Sequence, residues 1–398
     1  MTYYLLPKTN SLFYNSIDCI TTEKQPKPVI SNSLSCYLYE IKEEIEKIEK
    51  DWDVFKKYTN PYEYIHSIIP LKKKCISKHK PLSRSYFKMI EMFKIFDFKF
   101  HSEPIHSFHL AEGPGGFIEA LVGLRKCSQD QYVGMTILDE NNDPNIPAWK
   151  KSEFFLKHNK NVFIEKGATG TGDILSLENF EYCKNKYASK MNLITADGGF
   201  DFSMDFNNQE INISRLLFAQ VAYALTMQKK GGHFILKIFD SFMQHTIDIL
   251  FILSCFYEKV YIIKPQTSRY ANSEKYIVCK GFIFSKIDSF YHLLYNSFNK
   301  MISSQDYIER FINIPIPLSF IIRLEEYNAI FGQQQIENIY YTLSLIKNKN
   351  KQEKIDNLIK NNIQKSMLWC IKFNVSYHQL TNDTNIFLEN EELPPYIS

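Results

Sequence analysis

The amino-acid sequence predicts an α/β fold: a doubly wound, mostly parallel sheet of seven strands, the last of them antiparallel, with helical N- and C-terminal extensions. In the middle of the chain, short apolar runs that suit strands alternate with amphipathic helical patterns. Thirteen of the fourteen glycines lie between Gly113 and Gly281, so tight turns are concentrated there. We therefore expect an N-terminal helical extension at 1–80, a sheet domain at 81–290 and a C-terminal helical region at 291–398.

The N-terminal extension contains a helical pattern and a basic run. Apolar residues three and four positions apart predict a helix within 39–58: Ile41, Ile45, Ile48 and Trp52. A basic run follows, beginning with Lys72, Lys73 and Lys74. Such a run is more often a solvated face than a nucleic-acid contact.

Seven apolar runs in the sheet domain predict strands, at 106–112, 132–137, 161–166, 191–197, 232–239, 259–264 and 275–284. Helical patterns lie between most of them, at 115–127, 210–229 and 243–256. Only ten residues separate the last two strands, too few for a crossover helix. The last strand is therefore predicted to be antiparallel.

The pattern after residue 290 is helical. Apolar residues at helical spacing support this: Ile308, Phe311, Ile312, Ile336, Ile339, Tyr340 and Leu343. Pro315 and Pro317 interrupt the pattern. The stretch 347–365 is rich in lysine and asparagine.

Composition excludes several classes of protein. The chain has 398 residues and a formal net charge of +3, which is too balanced for coating long nucleic acid by charge alone. No apolar run approaches the roughly 18–20 residues of a membrane-spanning helix, and 1–8 lacks a signal-peptide pattern. The eight cysteines are scattered without metal-ligand spacing. We expect reduced thiols, no metal site, no membrane association and an intracellular, cytoplasmic location.

A glycine-rich turn follows the first strand of the sheet domain, at His109-Leu110-Ala111-Glu112-Gly113-Pro114-Gly115-Gly116-Phe117. It matches neither the phosphate loop GxxxxGK[ST] nor GxGxxG. An acidic residue just before the glycines suits a ligand with a positive charge or with free hydroxyl and amino groups, and S-adenosylmethionine has all of these. Three glycines in four positions argue against an ordinary tight turn.

Charged residues occur at three further places where a parallel sheet would present them. Asp197 ends the fourth strand and precedes two glycines, on the ligand-binding edge, although a lone aspartate there is a helix cap as often as a catalyst. Lys237 lies in an apolar strand and needs a carboxylate partner, which Glu274 could supply. Lys88 precedes the first strand and, taken singly, would be a surface lysine.

Together these segments closely resemble the FtsJ-like RNA 2′-O-methyltransferases, which have a Rossmann-like class I methyltransferase fold. Within that family the sequence is most similar to the cap-1 mRNA methyltransferases. The resemblance covers about 81–285 and is carried by Ser83-Arg84 with Lys88, by 111–117, by 170–174, by 196–200, by 231–237 and by 272–281. One departure is Tyr270 after Ser268-Arg269, where the family often has proline.

The resemblance implies a catalytic tetrad of Lys88, Asp197, Lys237 and Glu274. It implies S-adenosylmethionine as cofactor, held by Glu112, Gly113, Pro114, Gly115, Gly116, Phe117, Thr136, Asp173, Ile174 and Asp197. It implies the capped 5′ end of mRNA as partner, with other capping or transcription proteins as further candidates. For the path of the RNA we consider Arg84, Lys72, Lys73, Lys74, Arg269 and Ser273.

The expected chemistry is methylation of the ribose 2′-hydroxyl of the first transcribed nucleotide, with Lys237 accepting the hydroxyl proton and no metal required. In this scheme Asp197 and Glu274 orient the lysine. Alternatives are a methyltransferase of ribosomal RNA, transfer RNA or the second cap nucleotide, or an inactive RNA-binding subunit of a capping or polyadenylation assembly. An abundance of Lys, Asn, Ile, Phe and Tyr is typical of AT-rich genomes and would suit a large DNA virus. A viral factory, the virion and the nucleus therefore stay open as locations.

Overall fold

The computed structural model describes residues 3–9, 16–98, 100, 103–139, 148–199 and 207–379. Phe200, at the end of the Asp197 motif, lies outside these ranges. The strands are β1 (Tyr3–Leu5), β2 (Ile17–Thr22), β3 (His106–Leu110), β4 (Gln131–Met135), β5 (Val162–Ile164), β6 (Met191–Ala196), β7 (Gln228–Ile238), β8 (Tyr257–Ile263), β9 (Lys275–Phe282) and β10 (Tyr307–Ile312). The helices are α1 (Asn32–Glu46), α2 (Glu49–Tyr58), α3 (Ser85–Phe96), α4 (Gly116–Arg125), α5 (Glu153–His158), α6 (Leu177–Tyr187), α7 (Gln209–Asn212), α8 (Ser214–Met227), α9 (Gln244–Phe256), α10 (Asp288–Ser303), α11 (Leu318–Lys347) and α12 (Gln352–Lys372), with a short 3₁₀ helix at Glu63–Ile65.

Eight of these strands form one sheet in the order β1-β8-β9-β7-β6-β3-β4-β5. Strands β5, β4, β3, β6 and β7 are parallel, and β9 is antiparallel to both of its neighbours. The α/β fold class, the mostly parallel sheet and the antiparallel last strand are thus confirmed. The expected strand count of seven is wrong by one, because β1 pairs with β8 and places Tyr3 opposite Ile263. Three residues are too few for strand alternation to be visible in a sequence.

The winding of the sheet reverses at β3. Strands β4 and β5 lie on one side of β3, and β6 and β7 lie on the other. In doubly wound sheets, ligands bind at the carboxyl ends of the strands where the winding reverses. The motifs around Glu112 and Asp197 follow β3 and β6, so both lie at this edge.

The two extensions are mainly helical, as predicted, but the N-terminal one also contributes β1 and β2 and the C-terminal one β10, none of which the sequence predicted. Strands β2 and β10 pair with each other in a separate antiparallel sheet. Ile308, Phe311 and Ile312 have helical spacing, yet they lie in β10. Two register shifts interrupt the pairing, and all three side chains are buried. Spacing alone cannot separate helix from strand in so short an apolar run.

Helices α8 and α9 are buried on nearly all sides. In α8 every residue except Arg215 is buried, and in α9 every residue from His245 to Phe256 is buried. Both helices contact strands of the main sheet, and they also contact α10 and β10 respectively. A helix that is apolar all round lies between two layers, and the main hydrophobic core includes both helices.

The chain divides into two compact units. The first unit contains 1–44, 81–268 and 272–336, and the second contains 45–80, 269–271 and 337–398. In the second unit, α2, the 3₁₀ helix and α12 contribute the buried residues Trp52, Tyr64 and Trp369. The boundaries expected at 80 and 290 stay a prediction.

No helix in the described ranges is long and apolar enough to span a membrane. In the same ranges, no three His, Cys, Asp or Glu side chains are grouped so that they could hold a metal ion.

Candidate active site

Two amines and two carboxylates meet at the edge of the main sheet, within the first unit. Lys88 lies in the first turn of α3, Asp197 follows β6, Lys237 is near the end of β7, and Glu274 precedes β9. They form two ion pairs: Lys88 Nζ is 2.6 Å from Glu274 Oε1, and Lys237 Nζ is 3.4 Å from Asp197 Oδ1. Lys237 also donates to the main-chain carbonyl of Asp197 at 2.6 Å. The structure therefore brings the four predicted tetrad residues together.

The hydroxyl of Tyr276 connects the two ion pairs. It donates to Asp197 Oδ1 at 2.7 Å and accepts from Lys88 Nζ at 3.3 Å. Burial raises the pKa of Tyr276 well above its ordinary value, so the phenol keeps its proton. Tyr276 was not predicted from the sequence, because a tyrosine in a strand is usually part of the core. The available signal was its position two residues after Glu274, since alternate residues of a strand share a face.

Lys88 and Glu274 are almost fully buried, with 5 % and 8 % of their surfaces exposed. Burial lowers the pKa of Lys88, and the nearby carboxylates only partly offset this effect. Burial alone would raise the pKa of Glu274, but the charges of Lys88 and Lys237 outweigh it and hold that pKa below its ordinary value. Glu274 is therefore an anion at neutral pH and compensates the buried amine beside it.

The loop between β8 and β9 holds Glu274 by hydrogen bonds that the sequence did not predict. Lys264 Nζ donates to the main-chain carbonyls of Asn272 and Glu274, at 2.5 and 2.9 Å. Ser268 Oγ donates to Glu274 Oε1 at 2.8 Å. Burial lowers the pKa of Lys264 well below its ordinary value. Hydrogen bonds from Lys264 and Ser268 thus fix both the main chain and the carboxylate of Glu274.

The turn after β3, at 112–117, presents main-chain atoms rather than side chains at the carboxyl edge of the sheet. Gly115 has a φ of +101°, in the left-handed region that favours glycine, and it directly precedes α4. A Cβ at Gly113 would lie 2.4 Å from the carbonyl oxygen of Ala148, and a Cβ at Gly115 would lie 3.1 Å from the indole of Trp149. The segment 148–149 therefore packs directly on the turn and leaves no room for a side chain at Gly113.

The other predicted residues of this turn have structural contacts of their own. Ser152 Oγ donates to the main-chain carbonyl of Pro114 at 2.5 Å. Gly116 and Phe117 begin α4, and the ring of Phe117 lies 6.0 Å from the ring of Tyr276. The glycine turn and the tetrad thus share one part of the sheet edge.

The two carboxylate oxygens of the buried residue Glu112 have different surroundings. Its Oε1 accepts from the hydroxyl of Thr195, whereas Oε2 has no hydrogen-bond donor among the described residues. His109 Nδ1 lies 3.4 Å from Oε2 and 2.6 Å from the hydroxyl of Thr195. Burial raises the pKa of Glu112. The indole nitrogen of Trp149 is a buried donor that likewise lacks a partner in the described part of the chain.

A carboxylate oxygen and an indole N–H that both lack hydrogen-bond partners among the described residues, beside a turn of glycines, fit a bound ligand that has both donors and acceptors. A ligand that also carries positive charge would favour the ionised form of Glu112. The carboxylate of Glu112 and the indole N–H of Trp149 therefore fit S-adenosylmethionine, the ligand expected from the sequence.

The remaining cofactor candidates follow β4 and β5. Thr136 directly follows β4, and a Cβ at Gly172 would lie only 2.1 Å from its carbonyl oxygen. Asp173 is half-buried, and its Oδ1 accepts from the main-chain N–H of Leu175 at 2.9 Å. Ile174 is buried. These positions share the carboxyl edge of the sheet with Glu112 and Asp197.

The candidates for the RNA path are in different environments. Arg84 precedes α3 and helps to lower the pKa of both Lys88 and Glu274. Ser273 is buried and donates to Gln209 Oε1 at 2.9 Å. In the second unit, Arg269 makes a two-point ion pair with the buried carboxylate of Glu63, at 2.6 and 3.0 Å. That guanidinium already has an internal partner.

The basic run of the second unit is more accessible. Lys73 and Lys74 are exposed, and Lys72 is half-buried. Lys72, Lys73, Lys74 and Arg269 therefore belong to the second unit, whereas Arg84, Ser273 and the tetrad belong to the first.

The part of the chain that contains this site is similar to known proteins. Residues 81–282, just over half of the chain, match the family model for FtsJ-like methyltransferase. The chain is 31 % identical over 293 residues to the mouse protein "Cap-specific mRNA (nucleoside-2'-O-)-methyltransferase 1", covering 68 % of this chain and 32 % of that protein. It is 31 % identical over 270 residues to the orangutan (Pongo abelii) "Cap-specific mRNA (nucleoside-2'-O-)-methyltransferase 2", covering 65 % of this chain and 34 % of that protein.

The match thus spans about a third of the length of these curated relatives. Among solved structures, a putative ribosomal RNA methyltransferase from Plasmodium falciparum matches with a TM-score of 0.36 and 18 % identity. That match covers 51 % of this chain and 98 % of the other.

Proposed function

Because the chain belongs to the FtsJ-like methyltransferase family, we propose that it methylates the ribose 2′-hydroxyl of the first transcribed nucleotide of capped mRNA. The observation that carries this proposal is the group formed by Lys88, Asp197, Lys237 and Glu274 beside the glycine turn. Two of its relatives act, by their names, on the 2′-oxygen of cap nucleosides in mRNA.

S-adenosylmethionine is the methyl donor of FtsJ-like methyltransferases. In this chain, residues 112–117, Thr136, Asp173 and Ile174 would hold it at the carboxyl edge of the sheet. Glu112 Oε2 and the indole N–H of Trp149, which lack hydrogen-bond partners in the described ranges, suit its amino, hydroxyl and carboxylate groups. When bound, it supplies an electrophilic methyl group.

Lys237 is the proposed base. A ribose hydroxyl is a weak nucleophile until its proton is removed, and a neutral amine at Lys237 Nζ can accept that proton. Two contacts with Asp197 orient the amine, at 2.6 Å to the carbonyl and 3.4 Å to the carboxylate. Glycine at position 199 keeps the space beside the amine open, since a Cβ there would lie 3.0 Å from Nζ.

Lys88 and Glu274 act through their charge and position. The carboxylate of Glu274 compensates the buried amine of Lys88, at 2.6 Å. Tyr276 ties this pair to Asp197. Much of the rate then comes from holding the two reactants in line.

The proposal is tested by methyl transfer from labelled S-adenosylmethionine to short RNAs that differ only at the 5′ end: an N7-methylated cap, an unmethylated cap or a triphosphate. Digestion of the products locates the label. We expect label on the 2′-oxygen of the first nucleotide, and only with capped RNA. Transfer independent of the cap would contradict the proposal and favour a structured-RNA methyltransferase.

Lys237→Ala is the matched variant for the same assay. It should abolish methyl transfer and leave cofactor affinity nearly unchanged in calorimetry, because Lys237 is not among the proposed cofactor contacts. Retained turnover would remove Lys237 as the base. Cofactor binding by the wild type without transfer to any of the RNAs would favour an inactive RNA-binding subunit.

The second cap nucleotide is the nearest alternative target, because the same four side chains would serve the 2′-hydroxyl of either nucleotide. Label found on the 2′-oxygen of the second nucleotide in the same digest would replace the first proposal with this one.

A further inference from the structure

Positive charge is concentrated in the second unit. Its described residues, 45–80, 269–271 and 337–379, contain seventeen lysines and arginines against eight aspartates and glutamates, although the formal net charge of the whole chain is only +3. With 380–398 included, the second unit has a formal net charge of +5 and the first unit of −2. Charge concentrated in this way attracts polyanions, whereas a balanced total gives no sign of it.

Six of these lysines follow one another from the end of α11 into α12, and all six are exposed: Lys347, Lys349, Lys351, Lys354, Lys360 and Lys365. Within the ranges that the structure describes, Lys349 forms an ion pair with Asp51 at 3.2 Å, and the other five form none. The charge of these five lysines therefore faces solvent without an ion pair in the described ranges.

A groove of about 510 Å³ lies beside the first two turns of α12. The residues that line it include Lys351, Lys354, Asn357, Asn361 and Tyr341. The two asparagines are four residues apart and so lie on one face of the helix. Lys354 Nζ lies 5.3 Å from the centre of the Tyr341 ring, which keeps this amine at the groove. One acidic residue, Glu353, also lines it.

These groups match the parts of a single-stranded nucleic acid. Amines bind phosphates, side-chain amides bind the edges of unpaired bases, and an aromatic ring stacks on a base. An acidic peptide would use the lysines but would leave the amides and the ring without a role.

We propose that this groove, called here the α12 groove, is an RNA-binding site in the second unit that takes phosphates and unpaired bases of a single strand. The choice of RNA as the polyanion rests on the proposed function. The site would hold RNA beyond the nucleotide that is methylated, so it would favour longer substrates over minimal capped ones.

The test measures binding of the full chain to an unstructured, uncapped, fluorescently labelled RNA by anisotropy over a range of salt concentrations. The groove variant is Lys347→Gln/Lys351→Gln/Lys354→Gln. The matched control, Lys229→Gln/Lys230→Gln/Lys259→Gln, removes three exposed lysines from the first unit, in β7 and β8. The groove variant should weaken binding about tenfold at low salt and reduce the salt slope by about 2, at roughly 0.7 for each phosphate that the protein no longer neutralises. The control should change binding less than about twofold.

A second measurement needs no variant. RNA should protect Lys351 and Lys354 of the wild type from an amine-reactive label, and it should not protect Lys229 or Lys230. Equal weakening in both triple variants, or no protection at the groove, would overturn the proposal. Displacement of the RNA by polyglutamate of equal charge would make the groove a general acidic-partner site and overturn it as well.

Neither measurement uses cap, cofactor or methyl transfer, so failure here leaves the proposed activity untouched. Conversely, the groove variant should methylate a minimal capped RNA at the wild-type rate. A loss of that activity together with unchanged binding of long RNA would contradict the role of the groove.

Discussion

Lys237 and Tyr276 face each other across the antiparallel strands β7 and β9, and both contact Asp197. The amine of Lys237 is 2.6 Å from the main-chain oxygen of Asp197, and the phenol of Tyr276 is 2.7 Å from its carboxylate. Residues of the neighbouring strands β7 and β9 therefore fix Asp197, which follows β6. Groups linked in this way are expected to act as a unit, so that loss of one disturbs the others.

Tyr276→Phe should reduce kcat about 10- to 100-fold, equal to about 1.4–2.7 kcal/mol of transition-state stabilisation, with little change in KM. The ring stays, but the hydroxyl that joins Lys88 to Asp197 is removed. Tyr257→Phe is the control, because Tyr257 is also a buried strand residue with one hydrogen bond, to Gln228 at 3.0 Å. Steady-state kinetics give kcat and KM for both variants. Thermal melting checks that both variants are folded. Equal losses in the two would make Tyr276 merely structural.

Lys88→Met should lower the free energy of unfolding by about 3–5 kcal/mol, since it leaves Glu274 ionised and buried without its partner. Adding Glu274→Gln should recover much of this loss, because the amide is neutral and can still accept from Ser268. Urea unfolding of the two single variants and the double variant measures the coupling. If the two single effects simply add in the double variant, the pair is not coupled in the folded protein.

Gly115→Val should weaken cofactor binding by at least about tenfold, or about 1.4 kcal/mol. A side chain there must adopt a φ of +101° and would meet the indole of Trp149 at 3.1 Å. Gly231→Val separates the two causes, because Gly231 has a similar positive φ of +78° but no atom within 4 Å of its Cβ position. Calorimetry with S-adenosylmethionine should show normal affinity for the Gly231 variant. A comparable loss in both variants would point to backbone strain alone.

Glu210→Gln should remove part of the pH dependence of stability. Burial, with the nearby charge of Asp240, raises the pKa of Glu210 from an ordinary value of 4.5 to about 7. The folded state then holds a proton that the unfolded state releases, so wild-type stability falls as pH rises from about 4.5 to 7, by at most about 3 kcal/mol. A neutral glutamine keeps the main-chain bonds of Phe242 and Met243 without this loss.

Urea unfolding at pH 5 and pH 8 tests this prediction. The difference in unfolding free energy between the two pH values should be smaller in Glu210→Gln than in the wild type. Glu309→Gln, at an exposed position in β10, is the control and should follow the wild type. Parallel profiles for all three proteins would mean that Glu210 is ionised in the folded state at low pH.

Much of the fold could be predicted because its signals are local. The alternation of apolar runs with helical patterns indicated the parallel sheet, and the short link before β9 indicated its antiparallel direction. The strand β1 and the pairing of β2 with β10 could not be predicted, since each depends on a partner more than two hundred residues away.

The candidate site also contains some residues that could be predicted from the sequence and others that could not. Lys88, Asp197, Lys237 and Glu274 stand in motifs whose residue types are visible in the sequence, and the structure brings them together. Tyr276, Lys264 and Trp149 were not predicted, because their roles come from distances between β9, the loop before it and the segment 148–149. Arg269 shows the reverse case: its charge suggested a phosphate contact, and the structure pairs it with Glu63.

The three residues of β1 also affect whether the protein associates with other copies of itself. Without them, β8 from Tyr257 to Ile263 would present a row of unpaired N–H and C=O groups along a strand with buried Val260 and Ile262. An apolar strand left open in this way invites pairing with another copy, the first step towards aggregation. Docking of Tyr3–Leu5 therefore protects the sheet against self-association, and deletion of 3–6 should make the protein prone to precipitate at concentrations where the wild type stays in solution.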